Sequence, residues 1–160
     1  LIILVIFLIL MQVFYILSHY PVSFIESQLS FSGDIIKSHF SIMTEAQLNY
    51  YIAWLFLDYG FMIGYGLLLF TLALMSLRKI KEESSLKKFG YYFTLFGPIA
   101  ACCDGIENVF ILLMTSNPAG FPDAWAITHS TFALIKFIFM FTAIGFIIVI
   151  NLIRLSKKSS

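Results

Sequence analysis

Four apolar runs, near residues 1–18, 48–77, 88–115 and 124–155, dominate this chain of 160 residues. A bilayer core about 30 Å thick is crossed by about 20 apolar residues of helix. Within lipid the backbone has to bond to itself, which makes helix the default for such runs. Composition agrees, with 60% of residues hydrophobic and 12% charged and a mean hydropathy of +0.93. Soluble domains average about 45–50% apolar and about 25% charged. The predicted fold is all-α: one transmembrane domain over 1–160, built as a membrane-embedded four-helix antiparallel bundle with a short amphipathic outer connector at 19–47.

The first run opens at Leu1 without a charged leader and ends without a small-x-small cleavage pattern, so it is expected to be a retained helix rather than a signal peptide. His19-Tyr20-Pro21 closes it. The connector is too polar to span. Ser23-Phe24-Ile25-Glu26 has capping-box spacing, Ser32-Gly33-Asp34 is a break, and a second short helix is expected through Ile35, Ile36, Phe40 and Met43. This segment is expected to lie on the membrane surface over one mouth of the bundle.

Thr44-Glu45-Ala46-Gln47 repeats the capping-box spacing and should start the second span. A charged turn from Arg78 to Lys88 separates the second and third spans, and a Pro- and Gly-containing turn from Ser116 to Pro122 separates the third and fourth. Asp123 is the predicted N-cap of the last helix. Arg78, Lys79, Lys81, Lys87, Lys88, Arg154, Lys157 and Lys158 fall on one side of this topology, eight of the ten basic residues. That side should be cytoplasmic, with both termini, and a bacterial inner membrane is the expected location. The basic residues are accounted for by orientation, so nucleic-acid binding is not indicated.

Within the third run stands Cys102-Cys103-Asp104-Gly105-Ile106-Glu107-Asn108. Asp104, Glu107 and Asn108 share one helical face by their spacing. A carboxylate facing hydrocarbon costs roughly 2.5–3.5 kcal/mol at a helix centre, so that face should point inward. Asp58 on the second span and Lys136 on the fourth are the other charges within runs, and His129 shares the Lys136 face. At 1.5 Å per residue, Asp58 and Glu107 lie roughly 13 Å below the outer surface, and Asp104 and Lys136 roughly 18 Å. Matching depths on three helices predict one charge cluster of Asp58, Asp104, Glu107, Asn108, His129 and Lys136, with Asp104–Lys136 as the ion pair. Three carboxylates against one lysine call for a protonated carboxyl or a bound cation. The same residues also suit a structural role, joining helices at about 0.6 kcal/mol per contact.

Adjacent cysteines inside a span provide neither redox nor metal-ligand spacing, and no cofactor is assigned. Gly60-x-x-x-Gly64 and Gly97-x-x-x-Ala101 are small-residue pairs suited to close helix packing within the bundle. Tyr50, Tyr51, Trp54 and Trp125 fit an outer aromatic belt. His19 and His39 are lone connector histidines.

With Leu57-Asp58-Tyr59-Gly60-Phe61, Gly64-Tyr65-Gly66, Asp104-Gly105-Ile106-Glu107-Asn108 and an internal Lys136, the chain resembles a group of uncharacterised four-helix bacterial integral membrane proteins. The resemblance implies that Asp58, Asp104, Glu107, Asn108 and Lys136 belong together, and it implies no reaction. Quinone-linked thiol oxidoreductases of four spans need paired outer cysteines that Cys102-Cys103 does not supply. The sterol-isomerase and sigma-2-receptor-like fold offers an analogy of architecture only.

Three functions are compatible with the pattern. The first is an accessory subunit of a larger membrane complex, or a small-ligand binding bundle. The second is an ion- or proton-coupled transport element. The third is an enzyme on a lipid or isoprenoid, with Glu107 or Asp104 as general acid or base. Besides the bilayer, the partner expected is a larger membrane protein complex. A cavity joining the charged residues would discriminate among these readings.

Overall fold

The computed structural model describes residues 2–80 and 85–159. Lys81, Glu82, Glu83 and Ser84 of the charged turn lie outside the described residues, as do the side chains of Lys157 and Lys158. The described residues form helices α1 (Ile2–Ser18), α2 (Phe24–Gln28), α3 (Gly33–Ser41), α4 (Glu45–Arg78), α5 (Ser85–Thr94), α6 (Phe96–Ser116) and α7 (Asp123–Ser159), and no strand. Three stretches are long and apolar enough to cross a membrane: Glu45–Arg78, Lys87–Ser116 and Asp123–Ser156. The first helix is apolar but only 17 residues long.

Local chemistry sets the helix starts. Thr44 accepts from the Gln47 amide while the Gln47 side chain accepts from the Thr44 amide, a complete capping box at the start of α4. Ser23 and Ser32 cap α2 and α3 by accepting from Glu26 and Ile35. Asp123, predicted as an N-cap, is instead the first residue of α7, and its carboxylate accepts from the Gly33 amide of the connector. The third run, expected to be continuous, breaks at Leu95. Pro98 has no amide hydrogen for the Thr94 carbonyl and its ring crowds that carbonyl. The Leu95 amide turns back to donate to the Tyr92 carbonyl, at 3.2 Å.

α1 packs on α4, α4 on α6, and α6 on α7, with a further contact of α4 with α7. Asp58 meets Asn108 whereas Tyr65 meets Asp104, so α4 and α6 are antiparallel. Lys136 meets Asp104 whereas His129 meets the Glu107 carbonyl, so α6 and α7 are antiparallel too. Small residues permit the close crossings. A Cβ on Gly66 would stand 2.8 Å from the Ala101 Cβ, and one on Gly97 would stand 2.6 Å from the Leu69 Cβ. Gly60 and Gly64 receive Phe7 and Leu4 of α1, so this pair serves packing within the chain.

Polarity is distributed inside out. Phe56, Ile63, Leu67, Phe141 and Ile148 are exposed, while Asp58, Asp104, Glu107 and Lys136 are buried. The connector also goes inward rather than lying only on the surface. Tyr20, Ile36 and Phe40 are buried with Tyr51, Trp54 and Phe121 in one core, and the Phe31 amide bonds Ser130 of α7 at 3.1 Å. Tyr51 and Trp54 are therefore not belt residues. Tyr51 stacks between Tyr20 (4.6 Å) and Trp54 (5.5 Å), while Tyr50 remains exposed.

Candidate functional site: a buried charge cluster between two cavities

Asp58, Asp104, Glu107, Asn108, His129 and Lys136 are brought together from α4, α6 and α7, and none is more than 5% exposed. Lys136 is the hub. Its Nζ donates to Asp104 Oδ1 at 3.0 Å and lies 2.6 Å from Glu107 Oε2. The ammonium also lies 5.0 Å from the centre of the Phe137 ring. The ion pair expected from depth is present, and Glu107 shares the same ammonium.

The remaining carboxylate oxygens of that triad are also bonded. Tyr65 donates its hydroxyl to Asp104 Oδ2 at 2.9 Å, and the Gln28 amide donates to Glu107 Oε1. Asp58 is held differently. Asn108 donates to its Oδ2 at 2.7 Å, and among the described residues no cation stands within ion-pairing distance of it. His129 Nδ1 lies 3.3 Å from the Glu107 backbone carbonyl. A carbonyl only accepts, so Nδ1 carries the hydrogen and Nε2 is the ring's other pole.

Among the described residues, a small and a large cavity flank the cluster. The smaller, about 10 Å³, is lined by Tyr20, Ser27, Gln28, Glu107, Asn108 and His129 among others, and is about the size one water needs. Gln28 Oε1 and His129 Nε2 are buried there without a hydrogen-bond partner. The larger, about 460 Å³, lies between α1, α4 and α7. Asp58, Asp104, Lys136 and Tyr65 form its polar end, and Leu8, Met11, Phe61, Leu69, Met140 and Ile144 are among its apolar walls. Both α1 and α7 line it, and α1 is packed chiefly on α4.

Outside the stretches long and apolar enough to cross a membrane, burial pushes the Tyr20 hydroxyl up to about 12. Burial holds His39 below its ordinary value, against a smaller opposing pull from Glu26. The two are neighbours: Tyr20 Oη is 2.9 Å from Ser27 Oγ and 3.5 Å from His39 Nδ1. His19 is exposed and does not join this group. Cys103 is buried and Cys102 exposed, both as free thiols. Among the described residues no set of three or more His, Cys, Asp and Glu is arranged to hold a metal ion.

Sequence reasoning missed Tyr65 and Gln28. Tyr65 follows Asp58 by seven residues, two turns along the same face of α4, a signal that was there to use. Gln28 reaches Glu107 across 79 positions of chain, and nothing local to it announces that contact. Comparison with known proteins returns no matching family model, curated protein or solved structure.

Proposed function

We propose that this chain is an integral membrane protein, a four-helix antiparallel bundle with its basic turn and termini on the cytoplasmic side, that binds a small, largely apolar ligand in the cavity beside Asp58. The observation that carries this is the cavity itself. About 460 Å³ of space between α1, α4 and α7 falls within the range of about 300–1,000 Å³ typical of ligand pockets. Apolar walls with a few convergent polar groups are the usual make-up of such sites.

The inside-out polarity supports membrane placement. Exposed Phe56, Ile63 and Phe141 suit hydrocarbon, and buried intramembrane charges are most often functional. α1, although only 17 residues long, buries Met11 and lines the cavity with Leu8, Met11, Gln12 and Tyr15. It would complete the site as the fourth span. The space between α1, α4 and α7 would give an apolar molecule a lateral route from the bilayer.

The test uses a neutral apolar reporter, N-phenyl-1-naphthylamine, titrated onto the chain in nanodiscs of zwitterionic lipid. A saturable fluorescence increase at one reporter per chain, lost in Met140→Trp, is expected. A signal equal to that of protein-free nanodiscs would overturn the reading.

A second reading, a proton-coupled transport element, draws on the line of polar groups His39, Tyr20, Ser27, Gln28, Glu107, Lys136 and Asp104. Consecutive contacts in it include Tyr20–His39, Tyr20–Ser27, Gln28–Glu107 and Lys136–Asp104. Its test is pH-driven flux in proteoliposomes. Flux abolished by Asp104→Asn would support it, and no flux in the unaltered chain would remove it.

A further inference from the structure

We propose that the ligand selected by the large cavity is a lipophilic monocation, an apolar body bearing one protonated amine whose ammonium is held by Asp58. This rests on the ligand-binding reading and names the chemistry of its ligand.

Lys136 is shared by Asp104 and Glu107, and their two other oxygens accept from Tyr65 and Gln28. All four oxygens of that pair are therefore engaged. Among the described residues, Asp58 accepts from Asn108, through Oδ2, and has no ammonium within ion-pairing distance. It is also the carboxylate that lines the large cavity without an ammonium partner, since Glu107 faces the small one. An unmatched carboxylate at the polar end of an apolar space is complementary to a cation that arrives with its own apolar body. A charge-assisted hydrogen bond forms there with little competition from water.

Other ligand chemistries fit less well. A bare metal ion would find no set of three or more suitable ligands among the described residues, and would gain nothing from Leu8, Met11 and Met140. An anion would have to compete with Asp104 and Glu107 for an ammonium they already share, in a cluster holding three carboxylates to one lysine. A neutral alcohol could hydrogen-bond Asp58 but would leave three carboxyl groups to one lysine. Size sets the body of the ligand. A 150 Å³ cavity holds one benzene, so this space takes roughly three such rings, about 18 carbons.

The experiment is displacement of N-phenyl-1-naphthylamine at neutral pH, in nanodiscs of zwitterionic lipid, by three compounds of one skeleton: 4-phenylbutylamine, 4-phenylbutanol and 4-phenylbutyrate. The amine is expected to displace the reporter at a concentration about tenfold or more below that of the alcohol, with the carboxylate weakest. Asp58→Asn is expected to bring amine and alcohol within about twofold of each other. An alcohol as potent as the amine, or a carboxylate more potent than either, would overturn the cation while leaving the binding cavity intact. A reporter that does not bind the unaltered chain would overturn the cavity, and the proposal with it. Should Asp58→Asn fail to fold, the three compounds on the unaltered chain still decide.

Discussion

On the connector side of the cluster, Glu107 and His129 face a space of about 10 Å³, closed over by Gln28, Tyr20 and Ser27. On the α1 side, Asp58, Asp104 and Lys136 face about 460 Å³ bounded mainly by aliphatic and aromatic side chains. One set of charges thus has a face packed by a plug of the same chain and a face left unpacked. The first holds the lysine and two carboxylates in fixed geometry through Gln28 and the shared ammonium. The second presents the one carboxylate outside that ion-pair set. A cluster serving only to join helices gains nothing from an unpacked face, whereas a binding site needs both a rigid wall and a space in front of it.

The sharpest way to break this comparison is to set Lys136→Met against Asp58→Asn. Removing the ammonium leaves Asp104 and Glu107 buried without their shared partner, and losing one member of a buried pair costs about 3–5 kcal/mol. Asn at 58 can still accept from Asn108, so its cost should stay below about 1 kcal/mol. Unfolding in mixed micelles by added denaturing detergent measures both. Equal losses would mean that Asp58 belongs to the structural set after all. Next in size, Gln28→Ala withdraws a donor from buried Glu107 and should cost about 1–3 kcal/mol. Hydrogen exchange should then speed up through α2 and α3 while α7 is little changed. If exchange stays unaltered, the connector is not held by that bond.

Tyr65→Phe removes the hydroxyl that Asp104 Oδ2 accepts and should cost about 1 kcal/mol in the same detergent assay. The smallest effect is on the plug itself. His39 is held below its ordinary value of 6.5 by burial, so the unfolded connector takes up protons more readily than the docked one. Docking stability is then full above that ordinary value and declines as pH falls below it. Hydrogen exchange in α3 should quicken on acidification through that window. His39→Gln should flatten the response, and an unchanged slope would assign it to another group.

Much of this arrangement was legible in the chain. Asp58, Glu107, Asp104 and Lys136 sit at depths that the 1.5 Å rise per residue makes comparable, and periodicity puts Asp104, Glu107 and Asn108 on one face. Thr44 and Gln47 announced the start of α4 by their spacing. What was not legible depends on contacts between distant segments. Gln28 turns inward because α2 packs on α7 with Glu107 of α6 in reach, and Tyr51 and Trp54 leave the exposed surface because Tyr20 stacks against Tyr51. An amphipathic connector pattern fits a surface helix and a plug equally well. The break at Leu95 could have been read from Pro98, whose ring and missing amide act wherever a helix tries to continue through it. The large cavity had no local sign at all, since residues from α1, α4, α6 and α7 line it together.

Photolabelling with a neutral alkyl-diazirine compound in nanodiscs, mapped by peptide mass spectrometry, tests the existence of an open face most directly. The label should concentrate on cavity residues such as Leu8, Met11, Leu69 and Met140, and excess N-phenyl-1-naphthylamine should compete it away. Labelling spread over outward residues such as Phe56, Phe141 and Ile148, with no competition, would contradict the account.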